Sequence, residues 1–146
     1  MLRRDYILKI IQELFDSLSR ILLTEGDKSE KQKEIEALYS TFGHDKDFFR
    51  QASPDEIFRA LVDHLRQAQG ERQAEPGPDE VAKQAELLAT LFYADFKVSN
   101  LPDGLRGDVA SRALRLYDYY LATSDTYSPE GMDRRDELAR FLQNDI

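Results

Sequence analysis

Residues 79–98 read DEVAKQAELLATLFYADFKV, and this stretch decides the fold. Its apolar residues fall on two faces of a helix, whereas an ordinary surface helix carries one narrow apolar stripe. The small side chains of Ala82, Ala85 and Ala89 let neighbouring helices approach closely. We therefore predict a long helix that other helices cover on more than one side.

Helix start and stop signals divide the rest of the chain into similar segments. Ser53-Pro54 is the strongest start signal, because serine is a favoured N-cap and proline suits the first helical position. No useful stretch alternates apolar and polar residues as a strand would. The sequence predicts an all-α fold of antiparallel helical hairpins, either tetratricopeptide-like or an irregular bundle of about six or seven helices. The helices and turns are expected in residues 5–23, 27–43, 45–50, 53–70, 79–98, 105–122 and after 128.

The first predicted helix begins at Asp5, its expected N-cap, and is also unusually apolar. Its apolar residues cover an arc of roughly 200°, compared with a stripe of about 100° on an ordinary surface helix. We expect this helix to contact neighbours on two sides, and a second copy of the chain is one such neighbour. The candidate residues for self-association are Tyr6, Ile10 and Leu14.

The length of the chain fits a single domain, residues 1–146. One polar stretch with two prolines, residues 70–78, interrupts the helical pattern. We interpret this stretch as a loop that joins two helical subdomains, 1–69 and 79–146.

The composition excludes some kinds of site and disfavours some partners. The chain has no cysteine, which excludes disulfides and thiolate metal sites. Its formal net charge of −8 repels phosphate, so we expect no binding to nucleic acid or to anionic membranes. Charged residues interrupt the N-terminal apolar stretch, and no apolar run approaches the ~18 residues of a membrane span. We therefore expect a cytoplasmic protein.

The residues that usually carry chemistry form no recognisable motif. The two histidines, His44 and His64, lie on different elements and outside any HxxxH or HExxH pattern. We therefore predict no catalytic residue, no metal site and no cofactor. Asp95 is a candidate buried acid, because it falls inside the apolar arc of its helix. Three interpretations of Asp95 are open. It acts as a general acid or base with a raised pKa, it pairs with a neighbouring group through an ion pair or hydrogen bond, or it is exposed near the helix end.

Arg112, Arg115 and Tyr119 form a stripe on the polar side of the helix predicted for residues 105–122. Arginine and tyrosine are frequent anchors of protein interfaces, so the stripe is a candidate binding site for an acidic or aromatic peptide. The alternative is a solvated helix face with a local cation–π contact.

Two resemblances rest on particular residues. Residues 79–98 and 105–122 have alanines where the helices cross and Pro129 beyond the second helix, and they resemble a tetratricopeptide-type hairpin. The opening MLRRDYILKIIQEL, with residues 18–22 after it, resembles an uncharacterised bacterial domain family. Members of that family begin with an Asp-Tyr-Ile helix and end in tetratricopeptide-like hairpins. This second resemblance implies a fold and no activity.

The expected function is a helical protein–protein interaction module with a protein or peptide partner, and a homodimer is one expected form. The alternative is a carboxylate-based enzyme. Metal enzymes built in helical bundles use Glu-x-x-His motifs on facing helices. Thr41 and Leu61 stand three residues before the two histidines, so this motif is absent.

Overall fold

The computed structural model describes residues 2–68, 76–125 and 128–144, with side chains from residue 9 onward except at 11 and 68. These residues form helices and short connections without a strand, which confirms the predicted all-α class. The helices form one compact bundle. Their bounds are α1 (Leu2–Leu23), α2 (Lys28–Leu38) with a 3-10 segment (Tyr39–Phe42), α3 (Lys46–Gln51), α4 (Pro54–Ala68), α5 (Pro78–Val98), α6 (Asp103–Thr123) and α7 (Pro129–Asn144).

Local capping chemistry sets the helix ends in the first half of the chain. The backbone N–H of Ser53 donates to Glu56 at 3.1 Å, and the N–H of Glu56 donates to the Ser53 hydroxyl at 3.2 Å, which makes a reciprocal capping box. Gly43 ends the 3-10 segment with φ at 97°, a left-handed conformation that favours glycine. The predicted N-cap at Asp5 is wrong, because α1 already begins at Leu2.

The helix α5 is the centre of the bundle. Fourteen of its 21 residues are buried, and they lie on every side of the helix. It packs most extensively against α6, and also against α1, α2 and α4. The α5 and α6 helices are joined by residues 99–102, and the Thr90 and Tyr117 hydroxyls meet at 3.0 Å between them. A connection this short makes the pair an antiparallel hairpin.

The helix α1 is covered differently. Among its described side chains, only Leu14, Leu18 and Ile21 are buried, and they form one stripe at i, i+4 and i+7. With the half-buried Ile10, Phe15, Ser17 and Leu22 added, the covered arc spans roughly 160° of the circumference. This part of α1 is therefore an amphipathic helix; the side chains of Tyr6 and Leu8, which set the ends of the predicted arc, lie outside the described residues.

The two halves of the chain contribute to the same core. Buried residues of α1 to α4 and of α5 to α7 belong to one continuous apolar cluster, in which Leu18, Phe49 and Leu138 are fully covered. Most of the predicted loop at 70–78 lies outside the described residues; Pro76 and Gly77 come directly before α5. No described helix is long and apolar enough to cross a membrane.

Candidate functional site

A groove that opens to solvent runs between α4 and α6. The buried side chains of Ile57 and Leu116 lie at its base. Its enclosed part is small, about 10 Å³ or room for about one water molecule, so a ligand would lie on this surface and not inside it. The residues that line the groove are Pro54, Ile57, Phe58, Arg112, Arg115 and Leu116.

Arg112 is held in a fixed position at the wall of this groove. Its Nε–H donates to the carbonyl of Ala52 at 2.9 Å, and its Nη1 donates to the carbonyl of Asp108 at 3.0 Å. Both acceptors are neutral backbone oxygens, so the positive charge of the guanidinium is not neutralised by these contacts. Within the described residues, Arg112 forms no ion pair.

Arg115 lies one helical turn further along α6 and has an exposed side chain. No carboxylate of the described chain lies within ion-pair distance of its guanidinium. Residues three apart on a helix share one face, so Arg112 and Arg115 project from the same side of α6. Two positive charges without an ion-pair partner among the described residues therefore flank an apolar groove on a chain whose net charge is −8.

Tyr119 has a different role from the one predicted. Its ring is half-buried and packs edge-to-face against Phe58 of α4, with ring centroids 4.7 Å apart. It is not among the residues that line the groove. Tyr119 is half-buried because α4 covers this side of α6. Tyr119 instead supports Phe58, which does line the groove.

Asp95 is completely buried and forms a closed cluster with three partners, here called the Asp95 cluster: Asp95, Arg50, Tyr39 and Ser99. Arg50 of α3 donates from Nε to Oδ2 at 2.9 Å and from Nη2 to Oδ1 at 2.8 Å. The hydroxyls of Tyr39 and Ser99 donate to Oδ2 and Oδ1 at 2.8 and 2.5 Å. The carboxylate thus accepts four hydrogen bonds from groups on three elements.

The electrostatics of the Asp95 cluster favour the ion pair between Arg50 and Asp95. Burial opposes the charge of Arg50, but its hydrogen bonds to Asp95 raise the pKa of the guanidinium above its usual range. Burial, followed by the charge of Asp95, raises the pKa of the Tyr39 hydroxyl well above its usual range, so this hydroxyl remains a proton donor. Arg50 also approaches Glu36 of α2 at 3.1 Å. The arrangement ties α2, α3 and the 3-10 segment to α5, and it leaves no open path for a substrate to Asp95.

The structure describes the side chains of two of the three candidate residues for self-association, and these two differ in exposure. Leu14 is only 5% exposed and packs in the core, so it is not available at a surface and drops out of the predicted association face. Ile10 is half-buried. The side chain of Tyr6 lies outside the described residues.

The two histidines meet at the end of the 3-10 segment. His44 stacks on Phe48 with ring centroids 4.0 Å apart, and Nδ1 of His64 lies 3.4 Å from where a Cβ on Gly43 would stand. Burial lowers the pKa of His64, and the nearby His44 lowers it further. In the described part of the chain, no three histidine or acidic side chains converge as metal ligands.

Sequence reasoning missed the α4 side of the groove and the partners of Asp95. Phe58 lies with Ile57, Leu61 and Leu65 at the spacing of an apolar helix stripe, and that signal does not distinguish a core residue from a groove residue. Arg50 lies on a helix of six residues, which is too short for a periodic pattern to mark it as buried.

Comparison with known proteins identifies no relative of this chain. No family model, no curated protein and no solved structure matches the chain. The resemblance of the N-terminal residues to a bacterial domain family stays a prediction.

Proposed function

We propose that the protein is a helical protein–protein interaction module, and that the groove between α4 and α6 binds a segment of a partner protein. The observation that carries this proposal is a pair of arginines, Arg112 and Arg115, that lie beside an apolar groove and form no ion pair within the part of the chain that the structure describes. Interface hot spots commonly combine aromatic and arginine side chains around a well-packed pocket.

The size of the groove supports a protein segment as the occupant. Sites for whole small molecules usually enclose about 300–1,000 Å³ and bury most of the ligand. The groove encloses only about 10 Å³ and is open to solvent, so it cannot enclose a small ligand, and the surface of a larger partner fits it better.

The scaffold around the groove supports specific binding. The capping box at Ser53 and Glu56 defines the start of α4, next to Pro54. The hydrogen bond from Arg112 to the Ala52 carbonyl joins α6 to the residue that follows α3. A preorganised surface loses less conformational entropy when it binds, and more of the contact energy then contributes to affinity.

The alternative functions have less support. A carboxylate-based enzyme would need an accessible acid, and Asp95 is fully buried with both oxygens hydrogen-bonded. Self-association through α1 has less support than binding at the groove, because Leu14 belongs to the core and Ile10 is half-covered.

A displayed library of random peptides, selected against the whole chain, tests the proposal. We expect an enriched set of peptides whose affinity falls about tenfold or more, equivalent to about 1.4 kcal/mol, in Arg115→Ala. Arg140→Ala is the matched control, because Arg140 is another exposed arginine and lies on α7. If no peptide is enriched, or if Arg115→Ala and Arg140→Ala bind the selected peptides equally, the groove is not the interaction surface.

A further inference from the structure

We propose that the groove between α4 and α6 recognises an acidic segment of a partner protein, in which two carboxylate side chains bracket one apolar side chain. This inference rests on the proposed function and specifies its ligand. It follows from the hydrogen bonds of Arg112, from the spacing of the two arginines and from the apolar base of the groove.

The hydrogen bonds of Arg112 leave one edge of its guanidinium for a ligand. Guanidinium has five N–H donors in a planar fork. The Ala52 carbonyl takes the Nε–H, which blocks a carboxylate from binding across Nε and Nη2. The Asp108 carbonyl takes one Nη1 donor. The outer edge, with one donor on Nη1 and two on Nη2, remains, and a carboxylate binds such an edge through two parallel hydrogen bonds.

Arg115 adds a second cation one helical turn away. Side chains at i and i+3 on a helix start about 5–6 Å apart. Two carboxylates on alternate residues of an extended segment, which lie on one side of it, therefore match the two arginines better than one carboxylate does. A chain terminus offers a single carboxylate at its end. The pair of arginines therefore favours an internal segment with two acidic side chains over a C-terminal carboxylate.

The space between the arginines and α4 is apolar. Ile57 and Leu116 are 2% and 1% exposed and close the base of the groove, and Phe58 stands on the α4 side. An apolar side chain of the ligand would displace water from this surface, and the flanking carboxylates would fix its register.

Fluorescence anisotropy with defined peptides tests this inference. The probe is a labelled Gly/Ser peptide that carries Glu-Leu-Glu at its centre. We expect it to bind about tenfold or more tightly than the same peptide with Gln-Leu-Gln or Glu-Ser-Glu, and to bind more weakly as salt rises. Arg115→Gln should remove the preference for Glu-Leu-Glu, and Arg140→Gln should retain it. Both positions are exposed, so both variants should fold, and a thermal melt checks this.

Several results would overturn the inference. One is equal binding of the Glu-Leu-Glu and Gln-Leu-Gln peptides, and another is an unchanged preference in Arg115→Gln. Tighter binding of a peptide with two phosphoserines, or of one that ends in a free Leu carboxylate, would assign the groove to a different ligand. If selected library peptides bind at the groove but lack acidic residues, the proposed function stands and this inference fails. If no peptide of either kind depends on Arg115, both fail.

Discussion

The helices α1 and α5 have similar apolar content in the sequence and very different places in the fold. Neighbouring helices cover α5 on every side, and it carries a completely buried carboxylate. The described part of α1 has a single buried stripe, and Leu23 at its end is 85% exposed. The described residues on the outer side of α1 include Lys9, Glu13 and Asp16, which are all exposed.

The difference shows what makes a helix central. In the described part of α1 neighbours cover one side only, whereas they approach α5 from several directions. Alanines at four fully or almost fully buried positions of α5 allow this approach: Ala82, Ala85, Ala89 and Ala94. The sequence of α1 has no alanine and presents charges at helical intervals instead. Small residues at crossing points are therefore the better indicator of a central helix.

The largest expected effect comes from the buried charge on α5. Asp95→Leu should lower the free energy of unfolding by about 3–5 kcal/mol, because it leaves Arg50 buried without its partner. Urea denaturation of the variant and of the parent protein measures the loss. Leucine is larger than aspartate, so the variant leaves no cavity.

Two further variants test whether the loss of stability comes from the burial of this charge on α5, in contrast to the exposed side of α1. Asp16→Leu makes the same exchange on the exposed side of α1 and should change stability by no more than about 0.5 kcal/mol. Asp95→Leu combined with Arg50→Met should recover much of the loss, because the unpaired charge is then gone. Equal losses in Asp95→Leu and Asp16→Leu would contradict the difference in covering between the two helices.

The second effect tests the role of the alanines. Ala89 is fully buried on α5, so Ala89→Leu should force neighbouring helices apart and cost about 1–3 kcal/mol. Ala37→Leu is the matched exchange at an exposed position of α2 and should stay within about 0.5 kcal/mol. Thermal denaturation of both variants compares them directly. A neutral Ala89→Leu would mean that small side chains do not determine how closely the helices approach α5.

Most of the fold was predictable because its signals are local. The capping pair at Ser53 and Glu56 and the left-handed Gly43 act within a few residues, so the sequence shows where those helices begin and end. The start of α1 was missed because Asp5 fits an N-cap pattern that the chain does not use. The position of a helix within the bundle depends on all its neighbours, which a pattern along one segment does not contain.

The candidate site was predictable only in part, for the same reason. Arg112 and Arg115 were found because two arginines lie on one face of one helix. Their setting depends on distant residues, since Arg112 is anchored by Ala52, 60 positions earlier in the chain. The apolar position of Asp95 indicated a need for a partner, but that partner, Arg50, lies 45 positions away.

The smallest expected effect is a pH dependence of stability that comes from His64 of α4. This side chain is half-buried beside the end of the 3-10 segment, so its exposure lies between those of the buried and exposed residues compared above. Burial, followed by the charge of His44, lowers the pKa of His64 in the folded chain below the usual 6.5. The unfolded chain therefore takes up the proton first, and stability should fall as the pH drops through about 6.5 towards the lower folded-state pKa. Urea midpoints between pH 7.5 and 5.5 measure this decline above the range in which most carboxylates titrate.

Two variants assign the decline to a residue. His64→Gln should flatten the decline in stability with falling pH, and His44→Gln should only reduce it. If the slope persists unchanged in His64→Gln, a group other than His64 is responsible, and covering by neighbouring helices does not extend to this part of α4.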